Sequence, residues 1–365
     1  MQTPRSPRAR LVTFMATPRL RLGLAIVVSC GGTPPSVPSD ATSPTPTLSE
    51  AGAPAPLVDA ASPSDAGGDG GSWSPLPALA GGPRQETAVV ALGRKLYVIG
   101  GFDAKTEMSA AVEVFDPSAG TWSSAAPLPN ALHHANAAAV DGKLYVVGAL
   151  GSSFRALSLS IAYDPATNTW TPRASLPLGA ERGASGVAVV GTKIYVAGGL
   201  RGGAVALFSA YDTTADTWED LPAIPAPSDH LVAGAVGTTV YLIGGRQAAI
   251  TSHTARVDAY DTLTRTWSAR APMPTSRGGA AAAVVGARVV VAGGEGDTSR
   301  PSGVFDQVES YEPATDRWTK LAPMRSPRHG TGAAAIGGKV YVPGGADRQA
   351  FGAVATFEAF TPFTP

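Results

Sequence analysis

The 365-residue sequence is poor in cysteine, in charge and in helix-compatible composition. Its single cysteine, Cys30, excludes an intrachain disulfide framework, a multi-cysteine zinc site and a cysteine-ligated iron–sulfur cluster. Only 15% of the residues are charged, while 43 are Gly and 32 are Pro. Because Gly and Pro destabilise helices, this composition predicts a fold built from strands and turns.

Acidic residues are missing altogether from residues 1–29, which contain five arginines. A short apolar run over residues 22–28 is followed by Ser29-Cys30. This arrangement resembles a bacterial lipoprotein signal peptide, and the resemblance implies cleavage before Cys30 and lipidation of that residue. Loss of the five arginines leaves 23 basic against 28 acidic residues. A net charge of −5 disfavours nucleic acid as a partner.

Two other interpretations of the N-terminus stay open, namely a signal anchor and a true start at Met15. No other stretch approaches 18 continuous apolar residues, so no further spanning helix is expected. Residues 30–72 consist mostly of Pro, Ser, Thr, Ala, Gly and Asp and predict a disordered tether. We therefore expect an exported protein, lipid-anchored to the bacterial cell envelope at the outer membrane or facing the periplasm.

The remainder of the chain, residues 73–362, repeats one unit about every 49 residues. Successive tryptophans are separated by 49, 48, 48, 49 and 51 residues, and an aromatic residue stands seven positions before each of the last five. The tryptophans are Trp73, Trp122, Trp170, Trp218, Trp267 and Trp318. Their regular spacing favours packing between repeats over ligand stacking, because large aromatic side chains dominate burial.

Each unit predicts four short strands, which in the first unit are Ala88–Ala91, Lys95–Ile99, Val112–Phe115 and Thr121–Ser124. Four strands per unit of this length are typical of a β-propeller blade. Two glycines, then an aromatic residue followed by Asp-Pro or a variant, then Trp six residues beyond that acid, resemble the kelch repeat. The resemblance implies an all-β, kelch-type propeller over residues 73–362.

The two ends of the repeat region complement each other. The last unit has the pair Gly344-Gly345 but no following Trp, whereas Trp73 has no Gly pair before it. Joining the two completes one blade and removes an open sheet edge. The sequence thus predicts six blades, with the strand at Trp73 closing the sixth.

Candidate ligand-binding residues lie nine positions before the first hairpin glycine of each blade. They are Arg84, His133, Arg182, Ser228, Arg277 and Arg328. We expect them to share the channel mouth with residues that follow the Gly pairs, including Arg201 and Arg246. The kelch resemblance implies that the arginines contact ligands, and guanidinium groups suit anions. The open alternative is that these arginines are structural and bridge adjacent blades.

Histidines cluster in the same segments, as His133, His134, His230 and His329. Placement on alternate blades suggests a three-fold metal site. Their offsets differ, however, and opposite channel walls are expected to lie too far apart. We therefore predict no metal ion and no cofactor, and add His134 and His230 to the ligand-binding set.

The function that follows from these residues is non-catalytic binding of a protein, peptide or glycan by a monomer. The alternative is a sugar mutarotase or epimerase, since six-bladed kelch propellers include periplasmic sialic acid mutarotases. Such chemistry needs a general acid and base, for which Glu86 or Glu181 could serve. Kelch-bearing copper oxidases are excluded because they need a Cys–Tyr crosslink, and the only cysteine precedes the fold.

Overall fold

The computed structural model describes residues 70–362, so the expectations for the signal peptide, Cys30 and nearly all of the tether lie outside the described residues. The described chain forms six four-stranded antiparallel sheets and one two-stranded ribbon. Its one helical turn is a 3-10 turn at Ser152–Phe154. Within these residues no helix has the length and apolar character needed to cross a membrane.

Five blades are each formed by four consecutive strands. The first contains Ala88–Leu92, Lys95–Ile99, Val112–Asp116 and Thr121–Ser124. The second contains Ala137–Val140, Lys143–Leu150, Ala156–Asp164 and Thr169–Pro172, and the third Gly186–Val190, Lys193–Ala197, Phe208–Asp212 and Thr217–Asp220. The fourth contains Val232–Val236, Thr239–Ile243, Val257–Asp261 and Thr266–Ala269, and the fifth Ala281–Val285, Arg288–Ala292, Val308–Glu312 and Arg317–Leu321. The strands predicted for the first unit agree to within one residue at each end.

The sixth blade combines both ends of the described chain. Ala334–Ile336, Lys339–Pro343 and Phe357–Thr361 supply three strands, and Ser72–Pro75 supplies the fourth. Ser72–Pro75 pairs antiparallel with Phe357–Thr361, with Trp73 opposite Phe360. The predicted all-β, six-bladed fold and its closure by the N-terminal strand are therefore confirmed.

Every repeat tryptophan packs against the aromatic residue opposite it in the same blade. The ring centroids are 5.0 Å apart for Phe115 and Trp122 and 4.8 Å for Phe360 and Trp73. Each indole N–H also donates to a carbonyl four residues after the tryptophan of the preceding blade, as Trp218 does to Ala174 at 2.8 Å. The aromatic ladder is thus part of the packing between blades, as its spacing indicates.

Candidate functional site

The channel is encircled by six residues in the left-handed backbone region, one before each innermost strand. They are Glu86, His134, Ala184, His230, Gly279 and Gly330; we call them the inner ring. Each N–H donates to the carbonyl of the preceding member, and the Glu86 N–H bonds the Gly330 carbonyl to close the circle. A Cβ at Gly330 would lie 2.6 Å from Glu86 Oε1. Glycine at this position therefore leaves room for the Glu86 carboxylate.

The second blade carries its hairpin glycine one position later than the others. Its turn is Asp141-Gly142, and Asp141 has a positive φ of 48° at the position where Gly93 has a φ of 61° in the first blade. The count from Gly142 that selected His133 is therefore wrong by one residue. Counted from Asp141, the equivalent position is Leu132.

The predicted arginines face into their own blades. Arg277 is 1% exposed and donates to the Gln307 carbonyl at 2.7 Å, to the Val291 carbonyl at 3.4 Å and to Glu309 Oε2 at 2.8 Å. Burial lowers the pKa of this guanidinium to about 10, although the negative charge of Glu309 acts to raise it. Its contacts hold the second and third strands of one blade together.

The equivalent residues of other blades behave in the same way. Arg84 pairs with Glu113, Arg328 with Glu358 at 2.6 Å, and Arg182 with the Ser209 hydroxyl at 3.2 Å. These arginines, like Ser228, are buried. Their side chains make structural contacts within a blade. Their backbone carbonyls also bridge to the preceding blade, as the Arg277 carbonyl does by accepting from the Gly245 N–H at 2.9 Å. None of these residues lines the pocket at the channel mouth.

That pocket has a volume of about 340 Å³ and is lined by loops from all six blades. Of the predicted site residues it contains His134, His230 and Arg246, while His133 and Arg201 stand outside its lining. The expected sharing of one face holds, because the inner-strand starts form bridges with residues just after the Gly pairs, as Asp229 does with Arg246.

Glu86, His134 and His230 meet in the pocket floor and also line the channel beyond it. His134 Nε2 lies 3.0 Å from Glu86 Oε2 and 3.0 Å from His230 Nε2. The expectation that side chains on different channel walls are too far apart to meet is therefore wrong. The inner strands approach each other closely because small residues such as Ala135 and Ala233 line the channel.

A charged network surrounds this cluster. Arg246 donates to Asp229 Oδ1 at 2.9 Å and to Glu295 Oε1 at 2.8 Å, and its Nη2 lies 2.6 Å from His230 Nδ1 and 3.0 Å from His230 Nε2. Glu295 Oε2 and His329 Nδ1, which lie 3.8 Å apart, have no hydrogen-bond partner. Both atoms are buried, although their residues line the pocket.

Burial shapes the ionisation of the floor. It lowers the pKa of His230 to about 4, opposed by the hydrogen bond to Asp229, and it lowers the pKa of His133 to about 4 with help from His134. Burial acts to raise the pKa of Glu86, but His134 and His230 outweigh it, and the net shift is well below the ordinary value. Glu86 is therefore an anion near neutral pH, whereas the lowered pKa of His230 makes that imidazole resist protonation.

Three phenylalanines form the pocket rim: Phe102, Phe154 and Phe351, hereafter the aromatic rim. Phe102 is 5.6 Å from Phe351 and 6.1 Å from Phe154 between ring centroids. Phe154 and Phe351 are 43% and 45% exposed. Sequence reasoning missed these residues, although Phe102 directly follows Gly100-Gly101 and could have been found from that position.

Comparisons with known proteins agree on the repeat. The family model described as the KLHDC2/KLHL20/DRC7 Kelch-repeats domain matches residues 71–245 and 183–345. Kelch-like protein terF of Aspergillus terreus is 36% identical over 296 residues, which cover 75% of this chain and 64% of that protein, so the chain spans less than two thirds of the relative. Kelch-like protein 1 of Mus musculus is 42% identical over 50 residues, or 14% of this chain and 7% of that protein. The solved structure of YjhT shares the fold, with a TM-score of 0.65 at 19% identity over 77% of this chain and 95% of that one.

Proposed function

This chain belongs to the kelch-repeat family of β-propellers, and we propose that it is a non-catalytic binding module for a protein segment, peptide or glycan. The observation that carries the proposal is the channel-mouth pocket, to which all six blades contribute. A volume of about 340 Å³ suits one or two side chains or one sugar ring, at the lower end of ordinary ligand pockets.

The pocket combines two kinds of surface. The exposed rings of Phe154 and Phe351 offer flat apolar faces to a hydrophobic side chain or to the apolar face of a sugar. Below them, the pocket is lined by the polar side chains of Glu86, His134 and Arg246. A ligand with an apolar body and a polar tip matches both surfaces.

Binding is tested by screening the full-length chain against a random peptide library and an immobilised glycan array. Phe154→Ala and Phe351→Ala should each weaken every selected interaction about tenfold or more, since truncation removes a ring contact. Leu178→Ala is the matched control, because Leu178 is 99% exposed and lies outside the pocket. Selected ligands that bind the rim variants and the parent equally would contradict the proposed site.

A second candidate is sugar isomerisation at the anomeric centre, which the pairing of Glu86 and His134 at 3.0 Å favours. A carboxylate beside an imidazole in an open pocket can exchange protons with a sugar hydroxyl and ring oxygen. Glu181, the other residue considered, instead lies 3.5 Å from Arg201 and does not line the pocket.

Isomerisation is tested by NMR exchange of sugar acid anomers with the parent and with Glu86→Gln. Faster exchange that the substitution abolishes would establish the activity. If anomers exchange no faster with the parent than in buffer, and ligands bind at the aromatic rim, the result would support the non-catalytic binding module and contradict isomerisation.

For residues 1–72 we propose export, lipidation at Cys30 and a tether that holds a monomeric propeller off the cell envelope, with no nucleic acid partner. The support is the basic and apolar sequence that ends at Ser29-Cys30. In a bacterial host, an alkyne-labelled fatty acid should label the parent, whereas Cys30→Ser should remain unlabelled and uncleaved. Equal labelling of both chains would contradict this assignment.

A further inference from the structure

The floor of the pocket brings together three electron-pair donors. Glu86 Oε2, His134 Nε2 and His230 Nε2 lie within 4.8 Å of one another, and two of the three separations are 3.0 Å. Their side chains are 11%, 5% and 7% exposed. Buried acceptors that face each other are unfavourable unless hydrogen or a cation lies between them.

Hydrogen bonding directs the lone pair of His134 toward this centre. His133 Nε2 lies 3.0 Å from the Gly151 carbonyl, which can only accept, so His133 carries its hydrogen on Nε2. The two Nδ1 atoms of His133 and His134 lie 2.5 Å apart, and one hydrogen lies between them. Since the His133 hydrogen is on Nε2, His134 supplies the hydrogen from its Nδ1, and its Nε2 then faces Glu86 and His230 with its lone pair.

His230 is oriented in the same way from the other side. Its Nδ1 lies 2.6 Å from Asp229 Oδ1, so the hydrogen is on Nδ1 and the lone pair is on Nε2. Arg246 Nη2 lies 2.6 Å from Nδ1 and 3.0 Å from Nε2. With the hydrogen of His230 on Nδ1, Nε2 is the nitrogen that can accept from this guanidinium, so an ion bound at Nε2 replaces that contact. Carboxylate or carbonyl partners on the far nitrogen are typical of metal-binding histidines.

We propose that Glu86, His134 and His230 bind a divalent first-row transition metal ion, with zinc as the first choice. Metal–ligand bonds of about 2.1 Å separate neighbouring donor atoms by about 3.0 to 3.4 Å. The two separations from His134, each 3.0 Å, match this range, and Glu86 and His230, within 4.8 Å of each other, would move closer together around the ion. Two His with one Glu is a ligand set that zinc takes in open sites. Imidazole nitrogens disfavour magnesium and calcium, which prefer oxygen ligands.

Charge and access agree with this assignment. The carboxylates of Glu86, Asp229 and Glu295 outnumber the single guanidinium of Arg246, which leaves a formal charge of −2 on the carboxylates and guanidinium around the histidines. The three ligands line both the pocket and the channel beyond it. Positions of the ion not taken by protein atoms therefore face space where water or a ligand carboxylate can bind.

The inner ring supplies conservative variants for the test. Glu86→Gly, His134→Gly and His230→Gly each delete a ligand. Glycine adopts the positive φ of these positions, as Gly279 and Gly330 do in the same ring. Ala184→Gly is the matched control, because it makes the same kind of change in the same ring without removing a ligand atom.

The full-length chain is treated with a chelator and titrated with Zn²⁺ against a chromophoric competitor, and with Co²⁺ by absorption spectroscopy. We expect one equivalent of zinc in the parent and in Ala184→Gly, and affinity at least about 100-fold weaker in each ligand variant. Absence of zinc binding in the parent overturns the site. Equal zinc binding in the ligand variants overturns it as well.

If the glycine variants unfold, His133→Phe tests the metal site at a residue that is not part of the inner ring. Phenylalanine fills the place of the imidazole, whose ring stacks 4.1 Å from Phe102, but it cannot accept from His134. Zinc affinity should fall about 10- to 100-fold, and an unchanged affinity overturns the proposal. Binding of peptides or glycans at the aromatic rim is measured separately, so failure of the metal site and failure of the binding function are distinguishable.

Discussion

Arg277 illustrates how one buried side chain holds a blade together, since it contacts carbonyls and Glu309 across neighbouring strands. We expect Arg277→Ala to lower the free energy of unfolding by about 3–5 kcal/mol, because the Glu309 carboxylate stays buried without its cation. Urea denaturation followed by tryptophan fluorescence measures the change. Parent-like stability of this variant would mean that the ion pair is not structural.

The second blade provides the control for this prediction. There Leu132 stands at the arginine position and Ile161 at the position of the acid, and both are buried. The double variant Arg277→Leu/Glu309→Ile copies that natural pair and leaves no unpaired charge. It should recover most of the stability lost in Arg277→Ala.

The arginines could have been assigned correctly from the sequence. An acidic residue stands two positions before the blade aromatic as Glu113, Glu309 and Glu358, and in these blades it pairs with Arg84, Arg277 and Arg328. The fourth blade has an acid there, Asp258, without the arginine, and the third blade has Arg182 facing Ser209. Where both residue types occur, the pattern indicates a buried ion pair. The cluster at Glu86 is harder to predict, because a one-residue difference in the second turn decides whether His133 or His134 enters the channel.

At the scale of elements, the segment that links one blade to the next is held by hydrogen bonds to both its N–H and its carbonyl groups. In the third blade Trp218 donates to the Ala174 carbonyl at 2.8 Å, and Asp216 Oδ1 accepts from the Ala174 N–H at 2.8 Å and from the Tyr211 hydroxyl. Strands and their pairing were predictable, because alternation and turn residues determine them locally. The linker bonds were not, since they depend on how successive sheets are placed.

These linker bonds make a small part of the stability dependent on pH. The hydrogen bond from Tyr211, and then that from the Ala174 N–H, lower the pKa of Asp216 below its ordinary value. A carboxyl group whose pKa is lower in the folded state stabilises the fold at pH values above its pKa in the unfolded state. This stabilisation is lost as the pH falls through its pKa in the folded state. Asp216→Asn keeps the acceptor, as Asn168 does naturally in the second blade, but it does not titrate.

We therefore expect the parent to be more stable than Asp216→Asn near neutral pH, by less than about 1 kcal/mol because the site is close to solvent. The difference should disappear in strong acid, where both side chains are neutral. Urea denaturation of the pair at about pH 6 and about pH 2.5 measures it. A difference that is the same at both pH values would show that ionisation of Asp216 does not stabilise the fold.

At the scale of the whole molecule, two closed circles of hydrogen bonds define the ring. The inner ring joins six backbone groups around the channel, and the circle closes between Gly330 and Glu86. The outer circle joins the six indole N–H groups to the linkers, and it closes where Trp73 donates to Ala322 at 3.0 Å. The mismatch of repeat ends in the sequence predicts the outer closure, whereas the inner one follows only from the backbone conformation.

Closure through Trp73 predicts a defect that reaches beyond one blade. Trp73 is 9% exposed and stacks on Phe360, so Trp73→Ser should lower the free energy of unfolding by about 3–5 kcal/mol. Loss of the N-terminal strand also exposes the edge of Phe357–Thr361, and exposed edges pair with other chains. Size-exclusion chromatography should therefore show new oligomers. Trp73→Phe, which keeps the ring but not the N–H, should remain monomeric with an intermediate stability. A monomeric Trp73→Ser chain of parent-like stability would mean that the N-terminal strand contributes little to holding the ring closed.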